Sequence, residues 1–112
     1  MISTREIPPA EWMTFFNDFS KKHEGQGVTL EVYSPEIGDQ LEERDFFLAG
    51  IAAEVAEGHK KIAIMMGGSP DRHLTHVIAE PIKVGFEKTV PGNTGALQIT
   101  SADGTTALLH LL

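Results

Sequence analysis

Residues 62–86 read IAIMMGGSPDRHLTHVIAEPIKVGF, two apolar runs on either side of a cluster of turn formers. Ile62, Ile64 and Met66 share one strand face by a period of two. Leu74, His76, Ile78, Ile82, Val84 and Phe86 share one face of the next run. Gly67, Gly68, Ser69 and Pro70 suit a turn rather than a strand interior. The reading is a strand over 61–67, a turn, and a long strand over 74–88. The two are expected to form the central antiparallel pair of a sheet.

Working outward, residues 9–24 predict a helix. Pro9 suits its first position, where a missing N–H costs nothing. Trp12, Phe15, Phe16 and Phe19 fall at i, i+3, i+4 and i+7, one continuous stripe for packing against the sheet. Lys21 and Lys22 near the C-terminus complement the helix dipole, and Gly25 suits the residue that ends it. Residues 27–34 alternate: Val28, Leu30 and Val32 face one way, Thr29, Glu31 and Tyr33 the other, as in a half-buried strand. Residues 36–45 read as a solvated acidic loop running into a charged strand start. They lack the alternating Asp/Asn pattern and closing Glu of a calcium loop.

The next strand spans 41–56, and its phase switches at Gly50. Phe46 and Leu48 precede the switch; Ile51, Ala53 and Val55 follow it, which signals a bulge or sharp bend. Glu57, Gly58 and His59 turn the chain. Pro81 marks an edge or a bend, and 89–95 reads as a loop. Strands over 96–101 and 105–111 form a last hairpin, with Ser101, Ala102, Asp103 and Gly104 as a type I turn closed by glycine. That register puts Leu97, Ile99, Ala107, Leu109 and Leu111 on one face and leaves His110 outside. A two-residue Asp-Gly turn would instead align Leu97 and Ile99 with Leu108 and His110.

The expected architecture is a single α+β domain, 1–112. It has an N-terminal amphipathic helix and a bent antiparallel sheet of five to six strands. Short turns favour antiparallel neighbours. The bends at Gly50 and Pro81 favour a small barrel, Sm-like or SH3-like, with the helix across one mouth.

Composition narrows the function classes. Of 112 residues, 41% are hydrophobic and 22% charged, as in ordinary globular proteins. There is no cysteine, hence no disulfide, thiolate metal site or cysteine nucleophile. No apolar run approaches a membrane span, and the N-terminus lacks the order of a signal peptide, so a cytoplasmic location is expected. The net charge of −7 lies entirely in the first half, where residues 1–56 hold 4 Lys/Arg against 11 Asp/Glu. That half repels polyanions, which counts against nucleic acid as a partner.

The phrases HEGQGVTLEV (23–32), IGDQLEERDFFLAGI (37–51), SPDRHLTHVI (69–78) and SADGTTALL (101–109) together resemble a family of small bacterial proteins of unknown function. The resemblance brings no activity. A second resemblance is to Sm-like small barrels, which also place a helix before a strongly bent antiparallel sheet. Leu48-Ala49-Gly50-Ile51 and His76-Val77-Ile78-Ala79 carry it, and it implies edge-to-edge oligomers. The RNA-binding loop motifs of that family have no match here.

Asp71, His73 and His76 are the candidate metal or catalytic cluster. His73 and His76, three apart, point to opposite faces of a strand and converge only if residue 73 lies in the turn. A core or interface histidine is the plainer reading of His76. Gly67, Gly68 and Ser69 lack the lysine and helix of a phosphate loop. Ser69 and Ser101 lack an elbow motif. Lys60, Lys61, Arg72 and Lys83 read as solvated cations, and Met65 and Met66 as core filling. Leu108 and Leu112 are candidate interface residues, because 108–112 is apolar on both faces and reads as an unguarded edge.

The leading expectation is therefore a non-catalytic, self-associating binding or interaction module, a dimer or a ring, with no cofactor. The alternative is a small-barrel nucleic-acid binder. The third is a metal-dependent hydrolase at the Asp/His cluster.

Overall fold

The computed structural model describes residues 2–36, 40–89 and 94–112. In chain order they form β1 (Ile2–Ile7), a 3-10 turn (Pro9–Glu11), α1 (Trp12–His23), β2 (Gly27–Tyr33), β3 (Gln40–Ala56), β4 (His59–Gly68), β5 (Arg72–Ala79), β6 (Pro81–Thr89), β7 (Gly95–Ser101) and β8 (Thr106–Leu111). Among these residues one eight-stranded sheet runs in the order β1-β6-β7-β8-β2-β3-β4-β5, and every neighbouring pair is antiparallel. The α+β expectation holds, but the sheet has eight strands instead of five to six, because Ile2–Ile7 adds one and the run expected as a single strand over 74–88 is two. β1 and β5 are the edges, and among the described residues no pairing joins them, so the sheet is open rather than a closed barrel.

Two irregularities in β3 bend the sheet. The register against β2 slips between Val28 and Leu30, and Asp45 takes a φ of 64° there. The register against β4 slips between Leu48 and Gly50, the site of the sequence's phase switch. An extra residue on one strand increases local twist and turns the strand. Before the second slip Phe46 and Leu48 are buried; after it Ile51 takes over.

The paired runs of residues 62–86 differ from expectation in three ways. β4 continues through Gly67 and Gly68, so the turn is confined to 69–71. The second run is two strands, because Glu80 adopts a left-handed φ of 49° and Pro81 has no N–H to continue a ladder. β5 stays beside β4, while β6 crosses to sit between β1 and β7. The register against β7 slips between Pro81 and Lys83, which leaves Ile82 60% exposed while Ile78 and Val84 are buried. The β4–β5 pair lies at one margin of the sheet and not at its centre. The Glu80 junction ties both halves together: its N–H donates to Lys60 O at 3.0 Å, and its carbonyl accepts from Ala102 N–H at 2.9 Å.

α1 spans the open end of the curled sheet. Buried Trp12, Phe16 and Phe19 face the core, and half-buried Phe15 stacks edge-on to Phe86 of β6 at 6.0 Å. Trp12 Nε1 donates to Ile7 O at 2.8 Å, which pins the helix start to the end of β1. The helix stripe meets Val28, Leu30, Leu48, Ile62, Ile64, Val84, Leu97, Ile99 and Leu109 in one core. Each large side chain fully removed from water contributes about 1.5–3 kcal/mol. Among the described residues no helix is long and apolar enough to cross a membrane.

The last hairpin takes the expected register, with Leu97 opposite Leu109 and Ile99 opposite Ala107. Gly104 has a φ of 89°, Ser101 N–H donates to Thr105 O at 2.8 Å, and Asp103 Oδ1 accepts from Thr105 N–H at 2.9 Å. That bond holds the Asp103 carboxyl below the usual range. β8, however, lies between β7 and β2. The unpaired edge expected at its leucines does not exist.

Candidate interaction surface

The three residues of the candidate metal cluster sit on one turn and one strand without converging. Asp71 is exposed in the turn. His73 is exposed opposite Gly67, and His76 is half-buried opposite Ile64. The odd and even positions of β5 face opposite ways, so the two imidazoles diverge. Among the described residues no three His, Asp or Glu groups are placed to hold a metal ion. His76 lies on the inner face with Leu74 and Ile78; burial pushes its imidazole down, and the Glu43 carboxylate only partly offsets this.

The predicted interface leucines also lie apart from any edge. Leu108 is half-buried on the outer face between Gln98 of β7 and Glu31 of β2. Leu112 is 67% exposed, but its backbone is held: its N–H donates to Gly27 O at 2.9 Å and its carbonyl accepts from Gln26 Nε2 at 3.1 Å. Beside it the outer face of β8, β2 and β3 forms an open cleft of ≈ 670 Å³, lined by Thr29, Glu31, Glu42, Arg44, His110 and Leu112 among others. Its polar groups largely occupy one another. Tyr33 Oη donates to Glu31 Oε2 at 2.5 Å, which raises the phenol's pKa, and Arg44 pairs with Glu42. His110 Nε2 is 3.1 Å from Glu31 Oε1 but lacks a hydrogen-bonding angle to it.

The surface that breaks the ordinary pattern is the outer face of β3, β4 and β5. Phe47, Met65 and Val77 are 44%, 36% and 51% exposed there. Register sets them in adjoining rows: Phe47 with Gly67 and His73, Met65 with Gly50 and Thr75, Ala52 with Ala63 and Val77. Phe47 lies over Gly67, where an added Cβ would stand 2.7 Å from the ring. The rows extend about 13 Å along the strands at ~3.3 Å per residue. Across them the patch ends at β5, an edge of the sheet beyond which no strand pairs among the described residues. Carbon dominates this face, with exposed His73 and Thr75 as its polar members.

Sequence reasoning missed this surface although its signal was present. Ala63, Met65 and Val77 are apolar at the odd positions of runs whose even positions form the core, so both faces of these strands are apolar. Residues 108–112 carry the same signal, but β8 is paired on both sides, so its half-buried Leu108 and exposed Leu112 adjoin no sheet edge.

An open, bent antiparallel sheet with one helix across its end, and an apolar outer patch at one margin, defines a small α+β protein. No solved structure gives a significant match to it. The chain belongs to the family of unknown function DUF5335, which matches residues 3–112. It is similar to an uncharacterised protein of Aquifex aeolicus (strain VF5), 26% identical over 110 residues, which cover 98% of this chain and 93% of that protein.

Proposed function

We propose that this protein is a non-catalytic interaction module that self-associates through the outer face of β3, β4 and β5. One observation supports the reading: the exposed Phe47, Met65 and Val77 lie on strands that end at a sheet edge with no further strand among the described residues. Soluble proteins seldom leave an apolar patch beside a bare edge unless something covers it. A second copy is always at hand, and two-fold dimers are the commonest closed assembly.

Multi-angle light scattering at tens of micromolar tests this. The unmodified protein is expected as a dimer. Val77→Glu, at a position half in solvent, is expected to give a monomer with unchanged circular dichroism. A monomeric unmodified protein over that concentration range would sink the reading.

A further inference from the structure

The self-association reading leaves open which part of the patch meets its partner, and the two sheet edges differ in a way that decides it. β1 carries charges: Arg5 pairs with Glu11 at 2.9 Å, and Glu6 with Lys83 at 3.7 Å. Charged side chains along an edge discourage a further strand. β5, Arg72–Ala79, contains no Asp, Glu, Lys or Pro. Its outward backbone N–H and C=O groups are matched by an extended strand and by little else.

Charge selects the strand and its direction. β5 has Arg72, over the Phe46 ring, and His73 at one end, and runs directly into Glu80, an exposed carboxylate 2.8 Å from exposed His59, at the other. Antiparallel pairing with itself sets the cationic end of each copy beside the carboxylate end of the other. Parallel self-pairing would stack like charges. Residues 72–79 hold no carboxylate, so the excess negative charge of the chain is not concentrated along the strand.

Facing adds a second condition. Directly opposed residues in an antiparallel pair point to the same side of the sheet. Exposed Thr75 and Val77 are on the outer side; Leu74, His76 and Ile78 are on the inner side. Outer meets outer only if odd positions oppose odd ones, which puts the two-fold axis on a residue, and mid-strand that residue is Thr75 or His76. We infer that β5 pairs antiparallel with β5 of a second copy about a two-fold axis at Thr75 or His76, so that one sheet and one apolar outer strip run through both copies. This inference rests on the self-association reading and specifies its geometry.

The chain has no cysteine, so introduced thiols report the seam without background. Thr75→Cys, Val77→Cys and, on the other edge, Thr4→Cys are oxidised mildly and run on non-reducing gels, with light scattering on the same samples. A disulfide needs Cα atoms within about 7 Å, which directly opposed strand positions satisfy. Thr75→Cys cross-linking to itself places the axis at residue 75. Cross-linking only in a mixture of Thr75→Cys with Val77→Cys places it at residue 76. Either outcome supports the inference, provided Thr4→Cys stays uncross-linked. Dimers by scattering without either cross-link, or with equal cross-linking at Thr4→Cys, overturn edge pairing and leave self-association standing. Monomers by scattering overturn both.

Discussion

Ser20 holds both backbone groups of Ile51: its Oγ accepts from Ile51 N–H at 2.9 Å and donates to Ile51 O at 3.0 Å. The pair explains how a helix can continue a sheet. β2 pairs with β3 only as far as Phe47, after which the flanking residue Gln26 still accepts from Leu48 N–H at 2.9 Å. Beyond that point α1 lies where a strand would, and a hydroxyl on its flank stands in for the missing ladder at the bulge.

Ser20→Ala should therefore cost more than loss of an ordinary surface serine. Two partly buried backbone groups would lose their partner at once, an expected destabilisation of about 1–3 kcal/mol. Asn17→Ala, on the exposed helix face, should change stability by about 0.5 kcal/mol or less. Equal urea midpoints for the two variants would show that water replaces the hydroxyl freely.

His76 should impose a pH dependence on stability. Burial lowers its pKa, with Glu43 opposing the shift, so the folded protein favours the neutral ring. As pH falls through about 6.5, the unfolded chain takes up this proton before the folded one does. The associated stability is complete above that pH and is lost as pH falls through the lower, folded value. Urea midpoints measured between about pH 7.5 and pH 5 should decline, and His76→Gln should decline less. Parallel slopes for the two proteins would exclude His76 as the source.

Local pattern carried much of this fold, and long-range pairing carried the rest. The alternation of Val28, Leu30 and Val32 and the aromatic stripe of α1 are both visible in composition at fixed spacing. So are the bulge before Gly50 and the Asp103-Gly104 turn. β1 gave no such signal, because Ile2 and Ile7 fall on opposite phases and the four residues between them are polar. The break at Glu80 was half visible: Pro81 announced a bend, but the bend sends β6 across the sheet to pair with β1 and β7. The order of strands was not legible, since hydrophobic period reports which face is buried and not which neighbour lies alongside. That is why the apolar final strand read as an edge and β5 did not. The Asp71, His73 and His76 proximity was a property of sequence alone, and strand alternation disperses it.

Nucleic acid should not bind at physiological salt. The chain carries −7, and three cations of the β4–β5 pair are each engaged with a different partner. Lys60 sits 5.5 Å from the Trp12 ring centre and Arg72 4.3 Å from that of Phe46, while Lys61 is 3.6 Å from Glu54. These contacts scatter positive charge over both ends of the β4–β5 pair instead of lining one groove. A fluorescence titration with RNA and with duplex DNA should show no saturable signal. Sub-micromolar binding that weakens steeply with salt would overturn this.

The two apolar candidates for the contact between copies can be separated by placing one carboxylate at a time. Leu109 is fully buried in β8, with Leu97 on one side and Leu30 on the other. Leu109→Glu should unfold the protein, since an unpaired buried carboxylate costs several kcal/mol. Leu112 is exposed past the end of β8, next to the acidic cleft around Glu31 and Glu42. A carboxylate there stays in water, so Leu112→Glu should fold and, with the seam at β5, still form dimers. Val77→Glu should fold and fail to dimerise, because two-fold pairing brings both introduced charges to one seam. Sedimentation velocity on the three variants gives the answer. A monomeric Leu112→Glu beside a dimeric Val77→Glu would move the contact to the C-terminal leucines, and the edge at β5 would then have another partner or none.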